Sequence, residues 1–255
     1  MTEINDFIYI NGFKIEIKTI LRNSNLEPII FLHEGLGSVS LWKDFPLKVS
    51  EATNRDVILY SRLGMGRSSP LKENRKLSYM HDEANIYLPE IIKYLNLSEV
   101  VLLGHSDGAS IALIYAGNGY LTKSLILEAP HVFVEDISIR GVSIAKKMWN
   151  NRDLKEKLTK YHEDIEGAFN GWCNAWLSKE FKKWNIEDYL QNIDVPIMLI
   201  QGLNDEYGSL KQLDSIEKNV IGKTYRHEIE DCGHSPHTQY PIKITNKIKY
   251  FLSNN

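Results

Sequence analysis

The sequence predicts an α/β fold, a mostly parallel central sheet with helices packed on its faces. Three observations predict it. Short, almost uninterrupted apolar runs recur along the chain, as expected of strands covered on both faces. Amphipathic stretches of helical length separate them, giving the strand–helix alternation of crossover connections. And a chain of 255 residues with 43% hydrophobic content can bury a substantial core.

The elements follow in order. FIYINGFKIEIKTI (7–20) alternates around Asn11-Gly12 and is expected to form an N-terminal hairpin. PIIFLHE (28–34), DVILYSRL (56–63), VVLLGHS (100–106), SLILEAP (124–130) and PIMLIQG (196–202) are the buried strands, and KTYRHEIED (223–231) is a last, more exposed one. Helices are expected near 79–96, 108–118, 209–219 and 239–253. Residues 131–190 break this rhythm, with helical patterns, no strand, and four of the five tryptophans: Trp149, Trp172, Trp176 and Trp184. That is too long for an ordinary connection. It is expected to be a helical cap inserted after the sixth strand, over the sheet edge where α/β ligands bind, leaving 1–130 and 191–255 as the core. Its aromatic content suggests an apolar roof, with Trp149, Trp172 and Trp176 as candidate substrate-binding residues.

Composition narrows the function. The net charge is -3, with lysine and glutamate dispersed, so neither nucleic acid nor an anionic membrane is an expected partner. Cys173 and Cys232 make no disulfide framework and read as two reduced thiols. The N-terminal segment has no basic region followed by an apolar one, and no stretch is long and apolar enough to span a bilayer. A soluble cytoplasmic protein acting on a small molecule is expected. Gly222-Lys223-Thr224 has Glu217 where a phosphate-binding loop needs glycine, and neither Gly35-Leu36-Gly37 nor Gly64-Met65-Gly66 is completed to a dinucleotide fingerprint. No cofactor and no metal are expected.

The chemistry centres on Gly104-His105-Ser106-Asp107-Gly108, a G-x-S-x-G between a predicted strand and a predicted helix. So sharp a turn projects the Ser106 hydroxyl clear of the sheet, and its flanking residues must be small because strand and helix approach there. A serine nucleophile needs a base, and the base an orienting acid, here expected in the chain order Ser, acid, His. Asp205 follows PIMLIQG, and His234 lies in a Gly-flanked loop after the last strand. Both stand past strand ends on the edge that carries Ser106. The oxyanion hole is expected from the N–H groups of Gly35, in the loop HEGLGS, and of Asp107. Glu128 could replace Asp205 as the acid, whereas Glu206 would be pointed elsewhere by the turn. His237 is read as a supporting or surface histidine, and a His234–His237 metal pair lacks the further ligands it would need. His81, His162 and His227 fit solvated faces.

Taken together, HEGLGS, YSRLGMGRS, GHSDG, GLND and CGHSPH, with the helical insertion, resemble the α/β-hydrolase family over nearly the whole chain. The resemblance implies a serine hydrolase working through an acyl-enzyme on a small to medium ester or amide. Ser106 argues against the family's members with an aspartate nucleophile. A carbon–carbon bond hydrolase with the same triad, and a non-catalytic ligand-binding protein on the same fold, are the alternatives.

Two acids depart from the family's pattern. Glu34 stands where glycine is frequent, and Asp107 follows the serine. Asp107 can be a favourable acid in a helix first turn, and Glu34 can pair with Arg62 or Arg67. The sharper expectation is that Glu34 or Asp107 receives a cationic group of the substrate, such as the amine of an aminoacyl compound.

Overall fold

Asn11 and Gly12 both adopt positive φ, 51° and 81°, as a tight two-residue hairpin turn demands. The chain folds back there into β1 (Thr2–Ile10) and β2 (Phe13–Leu21). This computed structural model describes residues 1–255. The hairpin outruns its expected limits because Thr2–Asp6 are exposed and carry no apolar signal, although their backbone pairs in register with β2.

The remaining strands are β3 (Ile29–Leu32), β4 (Val57–Tyr60), β5 (Val101–His105), β6 (Ser124–Glu128), β7 (Ile197–Gly202) and β8 (Thr224–Ile229). Most stop short of the C-terminal end of their apolar run. The residues left over, among them His33, Arg62 and Ser106, enter the loops that build the site. One eight-stranded sheet results, in the order β1-β2-β4-β3-β5-β6-β7-β8. Its first three strands pair antiparallel and the rest parallel.

The helices are α1 (Phe45–Thr53), α2 (Tyr79–Asp82), α3 (Leu88–Tyr94), α4 (Asp107–Gly117), α5 (Asp136–Asn150), α6 (Asp153–Thr159), α7 (Ile165–Leu177), α8 (Glu187–Leu190), α9 (Lys211–Asn219), α10 (Pro236–Gln239) and α11 (Pro241–Ser253). A π-helical turn over Glu83–Tyr87 splits the expected helix at 79–96 into α2 and α3. Helix α1 is not foreseen by the sequence pattern, since Phe45 and Val49 are too few apolar residues to show a period and Pro46 blurs its start. Alternate strand residues face opposite cores. Phe31, Leu59, Leu103 and Met198 meet α1 and α11, whereas Leu32, Leu102, Leu127 and Leu199 meet α4 and α9. Between β6 and β7 the chain forms α5–α8 and no strand, only a single bridge between Phe133 and Asn185. No helix is long and apolar enough to cross a membrane.

The hairpin is fastened to the loop that follows β4, at the C-terminal edge of the parallel strands. The Glu16 carboxylate on β2 accepts from Ser61 Oγ at 2.7 Å and from the Arg67 N–H at 2.9 Å. Ser61 Oγ in turn accepts the Val39 N–H at 2.9 Å.

Candidate active site

Strand β5 ends at His105 and α4 starts at Asp107, so Ser106 alone makes the turn, with φ 54° and ψ −117°. For a residue with a side chain that is a strained conformation, held by the packing around it. The flanking glycines are steric necessities. A Cβ on Gly108 would lie 1.9 Å from the Leu32 carbonyl oxygen, and one on Gly104 would lie 2.4 Å from the Gly108 carbonyl.

Asp205 and His234 meet as expected, with His234 Nδ1 at 2.8 and 2.9 Å from the two carboxylate oxygens. Asp205 Oδ1 also accepts the N–H groups of Tyr207 (2.8 Å) and Gly208 (3.2 Å), and Oδ2 accepts from Gln201 Nε2 at 3.2 Å. Burial pushes the Asp205 carboxyl up, but the facing imidazole and these hydrogen bonds outweigh it and hold the group below the usual range. Burial pushes His234 down, and the Asp205, Glu34 and Glu206 carboxylates more than reverse this, leaving its pKa above the ordinary value. His105 Nε2–H donates to the His234 carbonyl at 2.7 Å and fixes that loop to the end of β5.

Ser106 and His234 line one cavity of about 240 Å³. Val142, Ala145, Leu154, Leu158, Trp172 and Trp176, all from the segment between β6 and β7, supply its apolar wall. Its charged groups are Glu34 and Glu206, and no lysine or arginine lines it. Glu34 is half-buried and Glu206 exposed, and neither is in a salt bridge. Burial pushes the Glu34 carboxyl up, more than the nearby His234 and His237 pull it down. A second cavity of about 140 Å³ lies beyond Glu34 and Ser235 and reaches His33, His105 and His237.

The Gly35 N–H donates to no other group of the chain. Asp107, as first residue of α4, has no acceptor for its N–H within the helix, and the chain supplies none outside it. Both donors are thus left for a ligand.

Several expectations need correction. The Asp107 side chain does not reach the cavity: it is 1% exposed, accepts the Tyr79 hydroxyl at 2.5 Å and lies 3.7 Å from Arg62 Nη2. It is therefore not placed to bind a substrate cation. Trp149 is also absent from the cavity wall, because its ring stacks on Phe169 at 4.0 Å inside the helical segment. Arg62 bonds the Glu34 carbonyl oxygen at 2.6 Å and not its carboxylate, and Arg67 lies against Glu163. His237 is buried and takes Glu128 as its own partner, Nδ1 to Oε2 at 2.7 Å, which removes Glu128 as an orienter of His234. His162 is buried too, between the Gly66 N–H and the Leu36 carbonyl.

Glu206 and His131 were missed. Glu206 is not the orienting acid, in keeping with the expectation, since Asp205 pairs with His234; what the sequence does not signal is its place among the residues lining the cavity. His131 lines the wall between Trp176 and His234, and burial pushes its pKa down to about 4. Its place just past the end of β6, on the edge carrying Ser106, is the signal that could have found it.

Glu34, His105 and His234 also bring one potential metal-ligating atom each within 4.8 Å of one another. With His234 Nδ1 and His105 Nε2 committed, an ion there would take His234 Nε2, the atom a general base needs. The donor set suits proton transfer better than a resident ion.

Comparison with known proteins agrees with this architecture. Residues 27–185 match the family model of the alpha/beta hydrolase fold. The chain is 31% identical over 166 residues to a proline iminopeptidase of Heyndrickxia coagulans, an alignment covering 64% of this chain and 51% of that one, so it spans about half the relative's length. It is 30% identical over 284 aligned positions to a proline iminopeptidase of Lactobacillus acidophilus, covering 96% of each. The crystal structure of a proline iminopeptidase from Mycobacterium smegmatis superposes with a TM-score of 0.76 at 14% identity over 98% of each chain, a likeness of fold alone. By sequence, strand order and elbow geometry, the chain belongs to the α/β-hydrolase fold family.

Proposed function

We propose that this protein cleaves small esters or amides through an acyl-enzyme on Ser106, and that its preferred acyl group carries a free amine beside an apolar side chain. In this reading His234 Nε2 takes the Ser106 proton as Oγ adds to the substrate carbonyl, and Asp205 holds the imidazole by Nδ1. The Gly35 and Asp107 N–H groups receive the oxyanion. His234 then returns the proton to the departing alcohol or amine. A water, deprotonated by the same imidazole, releases the acid and restores Ser106. Residues 131–190 act as the cap that makes the apolar wall, over a core of 1–130 and 191–255.

The observation that carries the substrate class is the cavity's charge. Two carboxylates, Glu34 and Glu206, face a small, partly apolar space next to Ser106 with no cationic side chain to answer them. An ammonium would supply that charge, and Glu34, whose burial disfavours ionisation, would ionise as it binds. A prolyl group, with a secondary ammonium on a compact apolar ring, fits this description, and the relatives named proline iminopeptidase support it.

The test compares prolyl and cyclopentanecarbonyl p-nitrophenyl or p-nitroanilide substrates, which differ in the charged nitrogen. The prolyl compound is expected to be hydrolysed more efficiently. Glu206→Gln and Glu34→Gln should each reduce that advantage by about 1.5–3 kcal/mol, the worth of a charged hydrogen bond. An enzyme that prefers the cyclopentanecarbonyl compound would overturn the amine reading. Turnover by Ser106→Ala at wild-type rate would overturn the acyl-enzyme.

A further inference from the structure

Helix α7 reaches both donors of the proposed oxyanion hole with two tryptophans one turn apart. Trp172 and Trp176, spaced i and i+4, project from one face of α7. The Trp172 indole lies directly on Gly35: a Cβ added there would sit 2.2 Å from its Nε1 and 2.4 Å from its Cδ1. Trp176 Nε1–H donates to the Tyr79 hydroxyl oxygen at 3.1 Å, and the Tyr79 O–H donates in turn to Asp107 Oδ2 at 2.5 Å. The direction is fixed, because an indole can only donate and a carboxylate can only accept. The other carboxylate oxygen, Asp107 Oδ1, has no partner, so the Tyr79 bond is the one hydrogen bond this buried side chain makes.

The opposite side closes the circuit. Arg62 Nη2 lies 3.7 Å from Asp107 Oδ2 and donates to the Glu34 carbonyl at 2.6 Å. His33 Nδ1–H donates to the same carbonyl at 2.7 Å, and its Nε2 accepts the Arg62 N–H at 3.0 Å. Burial and the Arg62 charge hold His33 well below its ordinary pKa, consistent with that neutral tautomer. The Glu34 carbonyl and the Gly35 N–H belong to one planar, trans peptide group. Pinning the carbonyl on Arg62 and His33 therefore aims the N–H the other way.

We propose that this ring, from α7 through Tyr79, Asp107, Arg62 and the Glu34 peptide back to α7 at Gly35, positions the two oxyanion donors relative to each other. Tyr79 and Trp176 are then positioning residues, and the hole is fully assembled only while α7 is docked. The inference rests on the Ser106 acyl-enzyme reading but not on the amine preference, so its test uses a neutral activated ester, p-nitrophenyl acetate.

Tyr79→Phe keeps the ring and removes the link. It is expected to lower kcat about 10- to 100-fold, short of deleting a donor outright, with KM held within about twofold. Phosphonylation of Ser106 by a small fluorophosphonate should slow by a similar factor. Trp176→Phe breaks the same link from the other end, and the double variant should be little worse than either single one. If Trp176 were only a wall residue, its change would raise KM and multiply with that of Tyr79→Phe. Independent effects, or a Tyr79→Phe variant with wild-type kcat and labelling rate, would overturn the proposal. Should Tyr79→Phe fail to fold, Trp176→Phe decides by the same kcat and labelling measurements. Full activity of Ser106→Ala on the ester would instead sink the underlying reading, and so separates the two failures.

Discussion

His234 and His237 stand three residues apart and commit Nδ1 to different buried carboxylates, His234 to Asp205 at 2.8 Å and His237 to Glu128 at 2.7 Å. Only His234 shares a cavity with Ser106. His234→Ala is expected to lower kcat/KM by about four to six orders of magnitude. His237→Ala should leave most activity but strand Glu128 in the interior, costing about 1–3 kcal/mol of stability. Kinetics and thermal melts on both variants check this, and the reverse ranking would move the base to His237.

The pH profile follows from the carboxylates around His234. A base must be neutral to accept a proton, and these neighbours favour the charged imidazolium, holding its pKa above the ordinary 6.5. Activity should therefore rise with pH through a value higher than an unperturbed histidine would give. Glu206→Gln removes one negative charge, favours the neutral ring, and should move the acid limb of kcat/KM to lower pH. A limb that stays put or moves up would show that Glu206 does not act on His234.

Trp149 should matter to stability and not to substrate. Trp149 is stacked on Phe169 away from the cavity, so Trp149→Ala is expected to cost about 3–5 kcal/mol of stability and to leave KM near wild type. A large KM change in a variant that remains folded would place Trp149 at the substrate after all.

The elbow glycines tolerate no side chain. Gly108→Ala would drive a methyl to 1.9 Å from backbone that no rotamer change can relieve. A loss of about 3 kcal/mol or more is expected, read by chemical denaturation. A variant as stable as wild type would mean that α4 can shift away from β3.

Most of the fold was legible because parallel strands covered on both faces are apolar along their whole length, as Val101–Leu103 and Ile197–Ile200 are. The Ser106, Asp205 and His234 positions were legible because each follows such a run at the same sheet edge. What escaped depends on where side chains turn after those edges. Glu34, Asp107 and Glu206 look alike in sequence, yet Asp107 turns inward to Tyr79 while the other two face the cavity. Partners so distant along the chain leave no local pattern. The same holds for His162 and His237, whose burial comes from loops that meet only in the folded molecule.

The attachment of the hairpin through Glu16 changes what a truncation would mean. An edge strand is normally the most dispensable part of a sheet, and β1 does expose its first residues. Strand β2, however, holds Ser61 and Arg67 by the Glu16 carboxylate, and those residues bracket Arg62, which grips the Glu34 carbonyl. Trimming a few residues from the N-terminus, or fusing a tag there, should cost little. Cutting as far as Glu16 would remove the buried Ile8, Ile10 and Ile15 together with the carboxylate, so the segment that looks like a decoration carries part of the core as well as the brace on Arg62.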